Sequence, residues 1–468
     1  MRQLLDSRWH IRYRYGMEPS ANPVLARRRA GVLLHVSSLA AGLGRGGRAF
    51  IDWLASAGFT VWQILPLGPT GADASPYWVR SDSAGNTALI DAAEPAPLAS
   101  AEFDAFLKDA GDWLDDYAAF ETLSTLNGGA PWWTWPAPYR DRQPAAMERL
   151  RREQGPALRT IREQQFSFAW QWRRLHEYAS ARGVYLFGDV PFYVAPDSAE
   201  VWSNREQFQL DASGRATAVA GVPPDYFSEL GQLWGNPLYA WELMRRDGFR
   251  FWRSRIRRQL QRVDLLRIDH FRALAAHWAV PAGAADARGG SWQPSLGREL
   301  LAMLQVELGT LPVVAEDLGV ITADVEALRR DFGLAGMRVM QFGFDGAGDN
   351  VHLPQMYEKA SVVYTGTHDN DTTVGWYGSL DAQTQRRVDY LLRAGPGQMP
   401  QAMIHALMAS VAQLAVVPMQ DVLGLGSEAR LNTPGTVTGN WSWRLPEQCL
   451  TPQLAQRCAL RNQVFGRV

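Results

Sequence analysis

Three carboxylates stand out among the residues of this 468-residue chain that could do chemistry. In the run Leu265 to Arg272, Arg267 and Asp269 lie two apart, so on a strand both side chains point to the same side. A guanidinium beside a carboxylate favours the ionised form. An ionised, oriented carboxylate is what nucleophilic attack on an acetal carbon requires. The bland alternative is a structural ion pair. Glu316 follows Val313, Val314 and Ala315; poorly solvated surroundings would push its carboxyl toward general-acid range. Its alternative is a cap for the following helix, a role open to Asp317 as well. Asp369 sits beside His368 and close to Asp371. Such a cluster can hold a metal, but a single histidine with no second at ligand spacing argues against it, so no metal is expected. Three carboxylates from three separate runs point to glycosidic chemistry.

The elements that must position them are short apolar runs: Gly31 to His35, Val61 to Leu67, Val184 to Val190, Asp264 to His270, Pro312 to Asp317, Met337 to Phe342, Val362 to Asp369 and Leu414 to Val422. Runs this apolar suit strands buried on both faces of a parallel sheet. Helical periodicity separates them, for example over Phe50 to Ala57, Phe249 to Val263, Gly297 to Leu308 and Ala323 to Phe332. Eight strands alternating with helices predict an α/β fold, a (β/α)8 TIM barrel, with an open doubly wound sheet as the alternative. Asp189, Asp269, Glu316, Asp369 and Asp421 all sit at or just past the C-terminal end of a run. That is where a TIM barrel builds its active site, and it favours the barrel.

A single catalytic domain over 1–468 is expected, with insertions at the C-terminal face. The first, 91–183, follows the second strand; it reads as helical, then rich in Trp and Pro at Pro131 to Tyr139. The second, 191–262, follows the third strand and carries a loop over 220–237 whose glycines and prolines argue against a long regular element. That loop offers Tyr226, Phe227 and Trp234 as apolar cover for a bound ligand.

Composition sets outer limits. Hydrophobic residues make up 46% and charged residues 20%, which is globular composition. Lys plus Arg is 47 against 48 for Asp plus Glu, so no net charge draws the chain to nucleic acid or anionic lipid. The basic run Arg253 to Arg262 lacks interleaved aromatics and reads as a solvated helix face. No stretch of 18 apolar residues exists, residues 1–16 lack the apolar core of a secretory signal, and Cys449 and Cys458 form no disulfide framework. A cytoplasmic enzyme is the expectation. The 19 tryptophans are either core anchors or platforms for a flat apolar ligand such as a sugar ring. Tyr77 and Trp78, in the segment Ser75 to Asn86, could flank such a sugar or merely fill a turn.

An ordered set of motifs runs from about Arg29 to Arg444: WQILPLGPTG, SPY, GDVPFYV, GVPPDYFSELGQLWGNPLY, RIDHFR, VAEDLG, VMQF, THDNDT and RLNTPGTVTGNWSWR. In this set the chain closely resembles the 4-alpha-glucanotransferases of amylomaltase type, glycoside hydrolase family 77. The resemblance implies Asp269 as nucleophile, Glu316 as general acid/base and Asp369 as transition-state stabiliser. It implies that Arg267, His368, Tyr77 and Asp189 hold the sugar at the cleavage point. His270, Gln232, Trp234, Ser75, Asp317 and Asn432 would serve neighbouring sugars. It implies no metal and no organic cofactor, with maltooligosaccharides and α-1,4-glucans as donor and acceptor. Segments would pass to the 4-OH of an acceptor sugar with retention. Two stretches depart from the family's usual pattern: Gly42 to Gly47, read GLGRGG, and Ser81 to Asn86, read SDSAGN. The rival readings are an α-amylase-like α-1,4-glucan hydrolase and a non-catalytic glucan-binding protein.

Overall fold

The computed structural model describes residues 22–224, 228–395, 397–436 and 438–468. Eight parallel strands close a barrel: β1 (Arg29–Leu33), β2 (Val61–Gln63), β3 (Tyr185–Val190), β6 (Leu265–Ile268), β9 (Val313–Ala315), β10 (Ala335–Val339), β11 (Ser361–Tyr364) and β12 (Leu414–Pro418). Around the barrel the order is β1-β12-β11-β10-β9-β6-β3-β2. Each strand overlaps one of the eight apolar runs.

The continuous apolar character follows from burial on two sides. Alternate residues such as Val61, Phe187, Leu265, Val314, Met337, Val362 and Leu414 share one buried cluster inside the barrel. Their neighbours Trp62, Leu186, Leu266, Val313, Val363 and Ala415 pack outward in the larger cluster formed with the helices. Except for β3, the strands end earlier than the apolar runs do. Asp269 and Glu316 therefore directly follow β6 and β9, while Asp369 lies five residues past β11, in the loop.

Between β2 and β3 the chain forms the helices Ala101–Asp109, Leu114–Leu126, Pro144–Glu153 and Gly155–Ala181. Trp132, Trp202, Trp62 and Trp252 are fully buried, so these four tryptophans serve packing. The expected irregularity over 220–237 needs correction. Here lie β4 (Ala218–Val222) and β5 (Gln232–Pro237), which join β7 (Ala276–Pro281) and β8 (Ser291–Pro294) in an antiparallel sheet ordered β5-β4-β7-β8. Gly221 does not break β4. It faces Leu233 across the hairpin, where a Cβ would come 2.4 Å from the Gln232 carbonyl, so the close strand approach requires glycine. Residues 225–227, with Tyr226 and Phe227 of the expected cover, lie outside the described residues, as do residues 1–21 with the expected absence of a signal.

The solvated face expected over Arg253 to Arg262 also needs correction. On the helix Arg250–Leu260, Arg250 and Arg257 carry exposed side chains, but Arg255 turns inward and is 2% exposed, paired with Asp82 at 2.6 Å. Asp82 belongs to the atypical SDSAGN stretch, and this pair is its structural counterpart. In the other atypical stretch, Arg45 pairs with Asp91 at 3.0 Å. At the opposite end of the barrel Arg467 is fully buried and donates to the carbonyls of Arg29, Met408, Ser410 and Ala412. Among the described residues no helix is long and apolar enough to cross a membrane.

Candidate active site

The C-terminal ends of β3, β6 and β9 and the loop after β11 converge on one polar cluster. Strand alternation sends Arg267 and Asp269 inward from β6. Arg267 Nη2 lies 2.5 Å from Asp269 Oδ1, and its Nη1 lies 2.5 Å from Asp189 Oδ2. One guanidinium thus fixes two carboxylates through charge-assisted hydrogen bonds. Tyr77 Oη donates to the same Asp189 oxygen at 2.7 Å. Burial pushes the Asp189 carboxyl up against the pull of Arg267. The Asp269 side chain keeps 30% exposure, so it stays open to a ligand.

Glu316 leaves β9 on the inward side. Its Oε2 accepts the backbone N–H of His270 at 2.7 Å, and Oε1 accepts that of Leu318 at 3.0 Å. His270 makes this bond from a left-handed backbone conformation, φ 51° and ψ 48°, which a non-glycine residue adopts at a cost. Burial, then the neighbouring Asp269 charge, push the Glu316 carboxyl up to about 8, outweighing Arg267 and the two backbone donors. A carboxylic acid protonated at neutral pH next to a carboxylate fixed by arginine has the division of roles that general-acid and nucleophilic chemistry need.

Asp369 is set differently. Burial would raise its pKa, but His368 and Asn432, with Arg267 farther off, hold it well below the usual carboxylate range. His368 Nε2 is 3.3 Å from Asp369 Oδ2, and Asn432 Nδ2 donates to Oδ1 at 2.6 Å. Arg430 secures the arrangement by donating to the backbone oxygens of Asp369 and Asn432 at 2.6 and 2.7 Å. Tyr77 stacks on the His368 ring with centroids 5.1 Å apart, and Trp441 packs on both. Ser75 Oγ accepts the Tyr77 backbone N–H at 3.3 Å.

A second wall comes from the small sheet. Trp234 on β5 meets His270 edge-on at 4.7 Å and approaches Tyr193 at 6.1 Å. Its Nε1 donates to Gln232 Oε1 at 3.1 Å. Burial drives the His270 imidazole down to about 4, so it is neutral at physiological pH.

Asp317 is not brought to this cluster, although sequence places it next to Glu316. Alternation turns it outward, where it accepts from Met337 N at 2.6 Å and pairs with Arg329 and Arg338 at 3.2 Å. Asp421 likewise serves the scaffold, accepting from Thr365 and Thr373. Asp371 accepts from Ser427 at 2.7 Å, and among the described residues no group of three metal-ligating side chains exists. Sequence reasoning passes over Tyr193, Arg430 and Trp441. All three lie inside the quoted motifs, and none carries a chemical signature of its own.

The Glyco_hydro_77 family model, described as 4-alpha-glucanotransferase, matches residues 34–101 and 94–451. The 4-alpha-glucanotransferase of Thermus thermophilus is 42% identical over 496 residues, covering 94% of this chain and 99% of that protein. A chloroplastic/amyloplastic 4-alpha-glucanotransferase of Oryza sativa subsp. japonica is 40% identical, covering 94% of this chain and 83% of its own length. Among solved structures, the amylomaltase from Streptococcus agalactiae in complex with acarbose is similar with a TM-score of 0.90 at 32% identity, covering 94% of this chain and all of that one.

Proposed function

The chain belongs to the 4-alpha-glucanotransferase family of glycoside hydrolase type 77, and from that premise we propose how its residues carry the reaction. The enzyme transfers α-1,4-glucan segments to an acceptor glucan. Asp269 attacks the anomeric carbon of the donor sugar while Glu316 gives its proton to the departing glycosidic oxygen. The C1–O bond to the leaving glucan breaks, and an ester between C1 and Asp269 forms. Glu316, now a carboxylate, removes the proton from the 4-OH of an acceptor sugar. That oxygen displaces Asp269, and two inversions return the α configuration.

The observation that carries this assignment is the pairing of two environments on adjacent elements. Arg267 grips Asp269, while Glu316 sits where burial and the Asp269 charge favour its proton. Asp369, kept ionised, faces the positive charge that develops at the sugar ring and lowers the transition state relative to the bound substrate. Tyr77, Asp189, Arg267 and His368 would hold the sugar at the cleavage point. Ser75, Gln232, Trp234, His270 and Asn432 would line the neighbouring positions. The placement of Asp317 supports a role in fixing β9 to β10 in place of sugar contact. The division into one barrel domain with insertions over 91–183 and 191–262 belongs to the same proposal. So does a cytoplasmic location, although the rice relative is chloroplastic/amyloplastic.

Incubation with maltotriose tests the reading. Glucose together with oligomers longer than the substrate is the expected result. Glucose and maltose alone would identify a hydrolase, and an unchanged substrate would identify a binding protein.

A further inference from the structure

Arg255 is the most deeply buried member of the basic run, and no step of the reaction uses it. Its Nε pairs with Asp82 at 2.6 Å, and their side chains are 2% and 4% exposed. The rest of the guanidinium grips the segment that follows β3. Nη1 donates to the Phe192 carbonyl at 2.8 Å and approaches the Tyr239 hydroxyl at 3.2 Å, and Nη2 donates to the Pro191 carbonyl at 2.5 Å. Tyr239 Oη donates to the same Phe192 carbonyl at 2.6 Å. The planar fork of one arginine therefore reaches together partners that a lysine, a point charge on a flexible stem, cannot.

What this segment carries gives the contact its consequence. Asp189, two residues before Pro191, is held by Tyr77 and Arg267. Tyr193, directly after Phe192, stacks on Tyr239 with centroids 6.1 Å apart and supports both Trp234 and His270. The other end of the pair reaches the loop after β2. Gln259 Nε2 donates to the Asp82 carbonyl at 2.9 Å and Arg258 Nη1 to Ser83 Oγ at 2.6 Å. Glu200 accepts from Ser81 and Ser83. The helix Arg250–Leu260 is thus tied from behind to two loops of the catalytic face.

We propose that Arg255 is a positioning residue for the acceptor side of the reaction: through the Pro191 and Phe192 carbonyls it sets the Tyr193 ring against which Trp234 and His270 are placed. The inference rests on the proposed placing of Trp234 at a neighbouring sugar position, taken as that of the acceptor. It predicts an effect on acceptor use that exceeds any effect on Asp269 attack, because the guanidinium of Arg255 is engaged by Asp82, Tyr239 and two backbone carbonyls, away from Arg267, Asp269 and Glu316.

The test compares Arg255→Lys with the double variant Asp82→Ala/Arg255→Met, which removes both buried charges and so avoids leaving one unpaired. Two rates are measured on each: formation of the glycosyl-enzyme from an activated α-maltosyl donor, and transfer to glucose as acceptor. The expected result is a KM for glucose raised by about tenfold, the loss of one or two buried hydrogen bonds, with the glycosylation rate within about twofold. Melting of the double variant should stay closer to the parent than that of Arg255→Met alone, while its acceptor defect persists. Equal changes in both rates, or none in the acceptor KM, would overturn the proposal. Trp234→Ala is run in parallel. If it alone raises the acceptor KM, the acceptor assignment stands and the role of Arg255 falls. If it does not, the acceptor assignment itself fails.

Discussion

The backbone N–H of His270 donates to Glu316 Oε2 at 2.7 Å, so the residue that follows Asp269 positions the Glu316 carboxyl. The bond joins the ends of β6 and β9, and it is made from the left-handed turn at His270. The two carboxyl groups are thereby set by one backbone corner, and strain at that corner is offset by the barrel around it.

This coupling yields a pH prediction. The Glu316 carboxyl is raised from 4.5 to about 8, by burial first and by Asp269 second. A group raised in the folded state favours its protonated form there, so the stability it contributes is lost as pH rises through about 8, and so is the supply of the catalytic proton. kcat/KM with maltotriose should decline on the basic side with an apparent pKa near 8, a property of the Glu316–Asp269 pair together. Glu316→Gln should abolish that limb, cost about 10²–10⁴-fold in rate, and melt with less sensitivity to pH between 4.5 and about 8. Donors with good leaving groups should recover part of the lost glycosylation rate. A basic limb that survives in the Gln variant would assign the titration elsewhere.

The nucleophile assignment predicts a sharper loss. Asp269→Asn should leave no turnover above background while still binding maltotriose. Arg267→Lys keeps a positive charge but cannot hold Asp189 and Asp269 at once, as the two 2.5 Å contacts require. It should reduce kcat more than it raises KM. Single-turnover measurement with an activated donor separates the two, and near-normal turnover in Asp269→Asn would refute the role.

Much of this architecture is legible in sequence, and the parts that are not have physical reasons. All eight barrel strands stand out because burial on two faces leaves near-continuous apolar runs, several with a carboxylate at the end. The small sheet does not. Its strands are only partly buried, β8 is exposed along its length, and Gly221 and Gly235 read as breakers when a close strand approach is what demands the first of them. Asp317 enters as a sugar contact only through the family resemblance; its contacts with Met337, Arg329 and Arg338 lie too far along the chain for a local window to show. Arg255 reads as solvated because neither its inward orientation nor its partner Asp82, 173 positions away, is visible in a local window. Asn432 shows the same limit: its contact with Asp369 spans 63 residues.

The Asp369 environment makes the opposite pH claim. Its pKa is depressed, so the stability it contributes is present above its unfolded value of 3.8 and is lost as pH falls below that. Asn432→Ala removes the 2.6 Å donor to Oδ1. The acid-side loss of activity should then move to higher pH relative to the parent, read from kcat between about pH 3 and 6. Asp369→Asn should lower kcat by about 10²–10³-fold, as for other removed electrostatic stabilisers, with a small change in binding. A parallel loss in binding affinity would mean that Asp369 holds the ground state.

Stability and catalysis should separate at the far end of the barrel. Arg467 is fully buried and donates to four backbone carbonyls, of which Arg28 shares those of Met408 and Ser410. Arg467→Met withdraws its donors to all four carbonyls and should cost about 1–3 kcal/mol of stability. Denaturant melts should show the loss, and activity per folded molecule with maltotriose should be unchanged. A catalytic defect in the folded variant would show that the bottom of the barrel is coupled to its face.

Transfer in place of hydrolysis is the hardest demand on this site. The glycosyl-enzyme faces water at far higher concentration than any acceptor sugar, so water must be excluded while a 4-OH is positioned. Trp234 would serve both. Its ring meets His270, the residue after Asp269, edge-on at 4.7 Å, and its indole N–H orients Gln232. The competing role is packing alone, since Tyr193 and His270 both rest on it. Trp234→Ala should raise the ratio of hydrolysis to transfer from maltotriose and weaken the use of glucose as acceptor, while glycosylation by an activated donor persists. Trp234→Phe keeps an apolar face without the donor to Gln232, and should hold the ratio near that of the parent if exclusion of water is the main effect. Free reducing ends measured against redistribution of oligomer length give the ratio. Two rates that fall together at an unchanged ratio, in a folded variant, would assign Trp234 to packing and leave the choice of acceptor to other residues.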